Sequence, residues 1–334
     1  MKTLVIRTDA LAATGAGHLG RCLALGAAAR GGGWRVEGVG RIADDRLREG
    51  ARRTIDAWHE LPDGAGLKEV LAAMRALQPD WVALDGYAFG VDDQRALGGL
   101  AKLLVLDDGP RLPAYHADLL LDQNPGAEAR GYVLEGHGRA LLGGRYTLLR
   151  PEFLAWRDHA HPQPERAGRL LLSLGAVVEA AALRAVMAGL ARVEAPLRIT
   201  CLTGTDPVGL DLTRALAPRQ HHLEALPWHE DMPALMAASD LALAAAGSTA
   251  WELAFMAVPG LYLTLADNQA GVAAAMGRAG AGIDLGRCDA GLPDRLVTEV
   301  AALIDARGRR ESLARAGRAL IDGRGAQRVL EAMT

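Results

Sequence analysis

The sequence predicts an α/β protein of two doubly wound domains, each a parallel sheet covered by helices. Three observations carry that prediction. Short apolar runs recur along all 334 residues and alternate with Ala- and Leu-rich stretches of helical spacing. Two of these runs, one in each half, lead into a glycine-bearing loop that opens a helix, at residues 15–21 and 246–253. Hydrophobic residues make up 50% of the chain, enough for two cores of about 150 residues each.

In chain order, Thr3-Leu4-Val5-Ile6-Arg7 reads as a buried strand, and residues 21–30 as the helix after it. Gly31-Gly32-Gly33 ends that helix, and residues 34–40 form a second strand. Leu67, Val70, Leu71, Met74 and Leu77 share one face of a helix over 66–77. Pro79-Asp80 breaks it, and the strand over 81–84 runs into Asp85-Gly86-Tyr87. Strands over 103–106 and 117–121 follow, closed by Asp107-Asp108-Gly109 and Asp122-Gln123-Asn124.

From Arg150 the character changes. Prolines and polar groups in Asp158-His159-Ala160-His161-Pro162-Gln163-Pro164-Glu165 read as a solvated linker, since no third ligand completes a metal spacing around the two histidines. This places an N-terminal domain over 1–156, a linker over 157–168 and a C-terminal domain over 169–334. The second half repeats the rhythm, with strands over 169–174, 197–202, 240–244 and 260–264. A short helix is expected over 234–238, after Trp228-His229-Glu230-Asp231-Met232-Pro233. Ser248 or Thr249 is placed to cap a helix running to Met256. Residues 292–333 read as two or three helices, which are expected to pack across the domain junction.

The net charge of -3 comes from mixed acidic and basic residues, with no basic block for nucleic acid. Cys22, Cys201 and Cys288 lack paired spacing, which points to a reduced compartment and against a zinc site. The N-terminus enters a strand at once, with no secretory signal, and no run reaches the roughly 18 apolar residues of a membrane span. A cytoplasmic protein without stable membrane association is expected.

The candidate chemistry sits at the glycine loops. His18 follows Gly15-Ala16-Gly17, and an imidazole, titrating near about 6.5, is a usable proton acceptor at neutral pH. The spacing is neither the dinucleotide fingerprint nor a Walker loop. Ligands of open α/β sheets lie at the carboxyl ends of strands, so Asp85 and Tyr87 are candidates too. Gly247-Ser248-Thr249 opens a helix whose free N–H groups suit a phosphate. No Asp-x-Asp pair or His/Asp cluster has metal-ligand spacing, so neither a metal nor a cofactor is expected.

Gly15-Ala16-Gly17-His18-Leu19-Gly20-Arg21, Asp85-Gly86-Tyr87, Ala246-Gly247-Ser248-Thr249-Ala250-Trp251-Glu252-Leu253 and Ala266-Asp267-Asn268-Gln269 occur in that order and together resemble the PseG family. Asp122-Gln123-Asn124 and the stretch 145–153 add to the resemblance, which covers nearly the whole chain. These are UDP-sugar hydrolases of pseudaminic acid biosynthesis, related to MurG glycosyltransferases and SpsG-type spore-coat proteins. The resemblance implies a GT-B fold, with two facing Rossmann-like domains and an interdomain cleft. It implies hydrolysis of UDP-2,4-diacetamido-2,4,6-trideoxy-β-L-altropyranose by water attack at the anomeric carbon, with inversion. It makes His18 the general base. Gly17, Arg21, Asp85, Tyr87, Asn268 and Gln269 are then substrate-binding residues. Gly175, Gly247, Ser248, Thr249 and Glu252 become nucleotide-binding residues, with Glu252 on the ribose.

One departure stands out. Where the family carries a loop like Gly-Gly-Ser/Thr-Asp, this chain reads Gly175-Ala176-Val177-Val178-Glu179, without polar groups for the diphosphate. Two other readings stand beside the hydrolase: a GT-B glycosyltransferase that uses a UDP-sugar, and a non-catalytic nucleotide-sugar binding protein.

Overall fold

A computed structural model describes residues 1–11, 17–175, 179–204, 207–227, 229 and 231–334. The chain divides into two compact units. The first comprises Met1–Pro151 and Gly323–Thr334, and the second Glu152–Asp322. Residues 157–168 therefore lie inside the second unit, and the last residues return to the first.

The first unit runs β1 (Thr3–Thr8), α1 (Gly17–Gly31), β2 (Arg35–Gly40), α2 (Asp45–Thr54), β3 (Ala57–Glu60), α3 (Leu67–Leu77), β4 (Trp81–Asp85), α4 (Val91–Gly98), β5 (Lys102–Leu106), β6 (Leu119–Asp122) and β7 (Arg139–Leu142). Its seven strands are all parallel, in the order β3-β2-β1-β4-β5-β6-β7. Leu4, Ile6 and Val82 are 0% exposed, because helices cover both faces of a parallel sheet and strand interiors become continuous apolar runs. On α1, Leu19, Cys22, Leu25 and Ala29 recur every three or four residues; Cys22, Leu25 and Ala29 pack with Leu4 and Ile6, and Leu19 with Ala10 and Ile42. Truncating Leu25 to Ala would cost about 2–5 kcal/mol at such a site.

Short α5 (Pro151–Leu154) opens the second unit, with only Pro151 in the first. There the chain runs β8 (Arg169–Ser173), α6 (Ala180–Leu190), β9 (Arg198–Leu202), α7 (Pro207–Ala215), β10 (His222–Leu226), α8 (Met232–Ala237), β11 (Leu241–Ala245), α9 (Ser248–Phe255), β12 (Gly260–Thr264), α10 (Asp267–Arg278), β13 (Ile283–Arg287), α11 (Leu292–Asp305) and α12 (Arg307–Leu320). The six strands are again parallel, in the order β10-β9-β8-β11-β12-β13. The last helix, α13 (Gly325–Ala332), belongs to the first unit, where Val329 and Met333 join the core beside α1.

Both sheets have a topological switch point, where successive crossovers leave in opposite directions and a crevice opens at the carboxyl ends of the strands. In the first sheet it lies between β1 and β4, whose register sets Thr8 opposite Asp85. In the second it lies between β8 and β11. The start of α1, Gly175 and Gly247 lie beside these switch points. Gly40 keeps the end of β2 close to β1, since a Cβ there would fall 1.7 Å from the Thr8 carbonyl oxygen.

Several sequence expectations need correction. The first helix begins at Gly17 rather than Arg21, so His18 belongs to its first turn and not to the loop. Gly247, not Ser248 or Thr249, is the N-cap of α9, and no side chain caps that end. Leu67 is 36% exposed and only Val70 and Met74 of α3 are buried, because this helix covers the sheet with a narrow stripe. Nor is the stretch around Gln163 simply solvated. Gln163 is buried, and the wholly buried Arg310 of α12 donates to its Oε1 (3.3 Å), to the Ile304 carbonyl at the end of α11 (2.8 Å) and to the Pro164 carbonyl. A buried guanidinium needs several acceptors, and the carbonyls of a helix end provide them.

Candidate functional site

The first unit collects its polar side chains where β1, β4 and β5 end. His18 and Arg21 are three apart on α1 and therefore share a face. That face turns toward Asp85, the last residue of β4, which is 0% exposed. His18 Nδ1 lies 2.7 Å from Asp85 Oδ1. Arg21 grips the same carboxylate at two points, Nε to Oδ2 at 2.6 Å and Nη2 to Oδ1 at 2.6 Å. The Cys22 thiol, next along the helix, donates to Oδ2 at 3.4 Å.

Burial alone would raise the Asp85 carboxyl. The charge of Arg21, with hydrogen bonds from Arg21 and His18, overcomes it and holds the group at about 2. Asp85 is therefore a carboxylate at any physiological pH. An ionised oxygen 2.7 Å from Nδ1 requires a proton between them, which Nδ1 carries. Nε2 is then the nitrogen with a lone pair, the state a general base needs. The same carboxylate acts on Cys22: burial, then the charge of Asp85, push its thiol well above the usual range.

A second carboxylate completes the assembly. Asp108, just beyond β5, accepts from Arg21 Nη1 and, at 2.8 Å, from the Tyr87 hydroxyl. Burial and the neighbouring Asp85 would raise Asp108, yet the Arg21 charge prevails and lowers it. The Tyr87 ring meets the His18 ring edge to face, with centroids 4.7 Å apart at 89°. Arg111 lies over Tyr87, 5.1 Å from the ring centroid, and donates to the Tyr87 carbonyl at 3.0 Å and to Asp107 at 2.9 Å. Tyr87 is 46% exposed, whereas His18 is 7% exposed and Arg21 8%. Arg21 and Asp85, expected from the resemblance to meet substrate, thus lie buried, with Asp85 against Nδ1 of His18. Gly17 heads α1, and a Cβ there would meet nothing within 4 Å.

In the second unit, Gly247 sits between β11 and α9, again with nothing within 4 Å of a Cβ, so the start of α9 is sterically open. A helix start without a side-chain cap offers backbone N–H groups and partial positive charge. Ser248 and Thr249 form its first turn, and Glu252, one turn on, is buried. Gly175 follows β8 with φ +106°, a conformation that requires glycine. The departure expected to matter at Ala176-Val177-Val178 lies outside the described residues, as do Thr14-Gly15-Ala16 of the first loop. Asn268 is exposed on the first turn of α10. Gln269 Oε1 accepts from the Leu265 and Ala266 N–H groups (2.9 and 3.3 Å), so its side-chain oxygen is used to tie the helix start.

The structure therefore brings His18, Arg21, Asp85 and Tyr87 into one cluster in the first unit. It places Gly175, Gly247, Ser248, Thr249, Glu252, Asn268 and Gln269 at or just beyond the carboxyl ends of three adjacent strands of the second. Sequence reasoning missed Asp108, Arg111 and Cys22 as parts of the site. The available signal for Asp108 was a carboxylate beyond the strand next to the one ending in Asp85. Among the described residues, no group of three or more His, Cys, Asp or Glu side chains is arranged to hold a metal ion. Among them, too, no helix is long and apolar enough to cross a membrane.

No family model matches the sequence. The spore coat polysaccharide biosynthesis protein SpsG of Bacillus subtilis (strain 168) is 23% identical over 231 residues, which span 69% of this chain and 68% of that protein. A UDP-N-acetylglucosamine--N-acetylmuramyl-(pentapeptide) pyrophosphoryl-undecaprenol N-acetylglucosamine transferase of Methylobacterium sp. (strain 4-46) is 32% identical over 203 residues, 58% of this chain and 54% of that enzyme. The chain thus spans about half the length of that transferase. Among solved structures, Acinetobacter baumannii MurG superposes with a TM-score of 0.72 at 17% identity, covering 100% of this chain and 99% of that one. S. aureus MnaA with UDP gives 0.64 at 12% identity over 99% of this chain and 95% of that one. Spinosyn rhamnosyltransferase SpnG with thymidine diphosphate gives 0.63 at 18% identity over 99% and 100%. The fold is that of the GT-B glycosyltransferases such as MurG, two Rossmann-like units with parallel sheets. Neither curated relative is a hydrolase by name: one is named a transferase and the other a polysaccharide biosynthesis protein.

Proposed function

We propose that this chain transfers a glycosyl group from a nucleoside-diphosphate sugar, with a UDP-sugar as the first candidate, to an acceptor hydroxyl with inversion at the anomeric carbon. The observation that carries the reading is the His18–Asp85 pair, an imidazole held by a buried carboxylate so that Nε2 is the accepting nitrogen. In this mechanism Nε2 takes the acceptor's hydroxyl proton as that oxygen forms a bond to C1. The bond from C1 to the diphosphate oxygen breaks, and its electron pair leaves with the nucleoside diphosphate. Asp85 remains ionised and balances the imidazolium that forms. The growing charge on the diphosphate meets the uncapped start of α9 at Gly247-Ser248-Thr249, and Glu252 accepts from the ribose hydroxyls. Tyr87, exposed beside His18, lines the sugar or acceptor position.

Two findings support the transferase over the hydrolase: the transferase name of one relative and the polysaccharide biosynthesis named for the other. UDP or thymidine diphosphate bound to proteins of the same fold supports a nucleoside-diphosphate ligand for either reading. The hydrolase reading keeps one specific support, the ordered motifs around His18, Asp85, Gly247 and Asn268, and needs only water in place of the acceptor.

Incubation with a panel of UDP- and dTDP-sugars separates the readings. Release of nucleoside diphosphate that depends on an added hydroxyl acceptor supports transfer. Release in acceptor-free buffer, with ¹⁸O from water appearing in the sugar, supports hydrolysis. Tight nucleotide-sugar binding with no release under either condition would overturn both and leave a binding protein.

A further inference from the structure

Arg21 transfers no proton in the scheme above, yet all three of its guanidinium nitrogens are engaged at the first unit's site. Two of its nitrogens hold Asp85, and the third reaches Asp108 at the neighbouring strand end. With 8% exposure and all three nitrogens engaged, it has little left to offer a ligand. A carboxylate is otherwise loosely held about its terminal torsion, which is broad and roughly two-fold. The two-point grip fixes the carboxylate plane, and with it the direction of Oδ1 toward His18. Arg21 Nη2 also lies 3.1 Å from His18 Nδ1. Both nitrogens carry hydrogens when Nδ1 donates to Asp85, so this is a contact between two donors. Once Nε2 gains a proton, it becomes a contact between two cations.

Resting on the reading of His18 as a base, we propose that Arg21 is a positioning residue for it: its fork aims Asp85 at Nδ1 and sets its cationic Nη2 against the same nitrogen. Other groups around the imidazole bear on the same balance. Asp85 faces it from the end of β4 and Tyr87 from the following turn, with Asp108 and Arg111 behind Tyr87. Asp85 and Arg21 both meet Nδ1, so the pair fixes the orientation of the ring.

The test uses the full chain and its R21Q and R21K variants. It reads the pH profile of kcat for nucleoside diphosphate release, KM for the UDP-sugar, and the ¹⁵N tautomer signature of His18 in the ligand-free protein. R21Q is expected to lower kcat about 10–100-fold while KM stays within about twofold. Its acid limb should move up by about one pH unit, the scale on which a neighbouring charge acts. The Nδ1–H signature should lose its dominance. R21K keeps the charge without the fork, so its acid limb should stay in place while kcat falls.

A raised KM with an unmoved acid limb would show a substrate contact and overturn the proposal, as would R21Q with an unchanged profile and tautomer. Should R21Q not fold, D108N removes only the outer anchor. Because D108N removes a negative charge, its acid limb must move opposite to that of R21Q, down rather than up, and no shift would overturn the proposal. If the wild type releases no nucleoside diphosphate from any sugar nucleotide, the proposed reaction fails, while the tautomer measurement still decides how Arg21 acts on His18.

Discussion

Replacing Asp85 by Asn changes one atom type at a fully buried position that serves three side chains. The carboxylate accepts from His18, from Arg21 at two points and from Cys22. Asparagine keeps one acceptor oxygen and turns the other into a donor. If that donor faces His18, Nδ1 must become the acceptor and Nε2 carries the proton. If it faces Arg21, the guanidinium meets a donor within a buried contact. Breaking a buried ion pair typically costs about 3–5 kcal/mol. Asp108 still holds one nitrogen of Arg21, which puts the expected loss near the low end, about 3 kcal/mol. Most domains have a stability of about 5–15 kcal/mol, so the variant should fold and be measurable.

The pH dependence follows from the same group. A carboxyl held at about 2 rather than 3.8 binds its proton less readily when folded, and at about 1.4 kcal/mol per pH unit this contributes about 2–3 kcal/mol of stability. Because the folded value is the lower one, that contribution is present above about pH 4 and fades as pH falls toward 2. Urea unfolding of wild type and D85N at pH 7 should differ by about 3 kcal/mol, and the gap should narrow as the pH is lowered through 3. Turnover should fall by roughly 10²–10⁴, the contribution of general-base catalysis. A variant with wild-type stability at pH 7, or near-normal turnover, would refute the reasoning.

Other perturbations probe the rest of the site. H18N should reduce nucleoside diphosphate release by about 10²–10⁴ while calorimetry finds UDP affinity nearly intact, since His18 and the proposed nucleotide-binding residues at Gly247 belong to different units. E252A should weaken UDP binding by about 1.5–3 kcal/mol through loss of charged hydrogen bonds, and unchanged affinity in calorimetry would remove Glu252 from the ribose. G247D should fold, because space is open at that position, yet its carboxylate would oppose the diphosphate. UDP binding should disappear while the thermal midpoint stays near wild type. Turnover should survive EDTA, as the scheme meets the diphosphate charge with backbone N–H groups and a helix dipole; loss restored by magnesium would contradict it.

By itself, the sequence determined the α/β class and the strands that fill the sheet interiors. Its nine apolar runs correspond to β1, β2, β4, β5, β6, β8, β9, β11 and β12. Among the described residues, the strands it did not reveal are β3, β7, β10 and β13, which are the four sheet edges. The reason is physical: an interior strand of a parallel sheet is buried on both faces and is therefore mostly apolar. An edge strand such as Ala57-Trp58-His59-Glu60 is partly solvated and has no such pattern. The helix starts near Gly17 and Gly247 were also legible, because glycine turns and helix starts constrain residue type locally.

What only the tertiary structure decided is the company His18 keeps. Asp85 lies 67 residues away and Asp108 lies 87 residues from Arg21, and no local pattern links them. Parallel pairing of β1, β4 and β5 sets their carboxyl ends side by side, and α1 lays His18 and Arg21 across them. That same packing moved Arg21 from expected substrate contact to buried partner of two carboxylates. A one-dimensional motif records which residue types a site needs. Burial and register decide which of them meet the ligand and which hold the others in place.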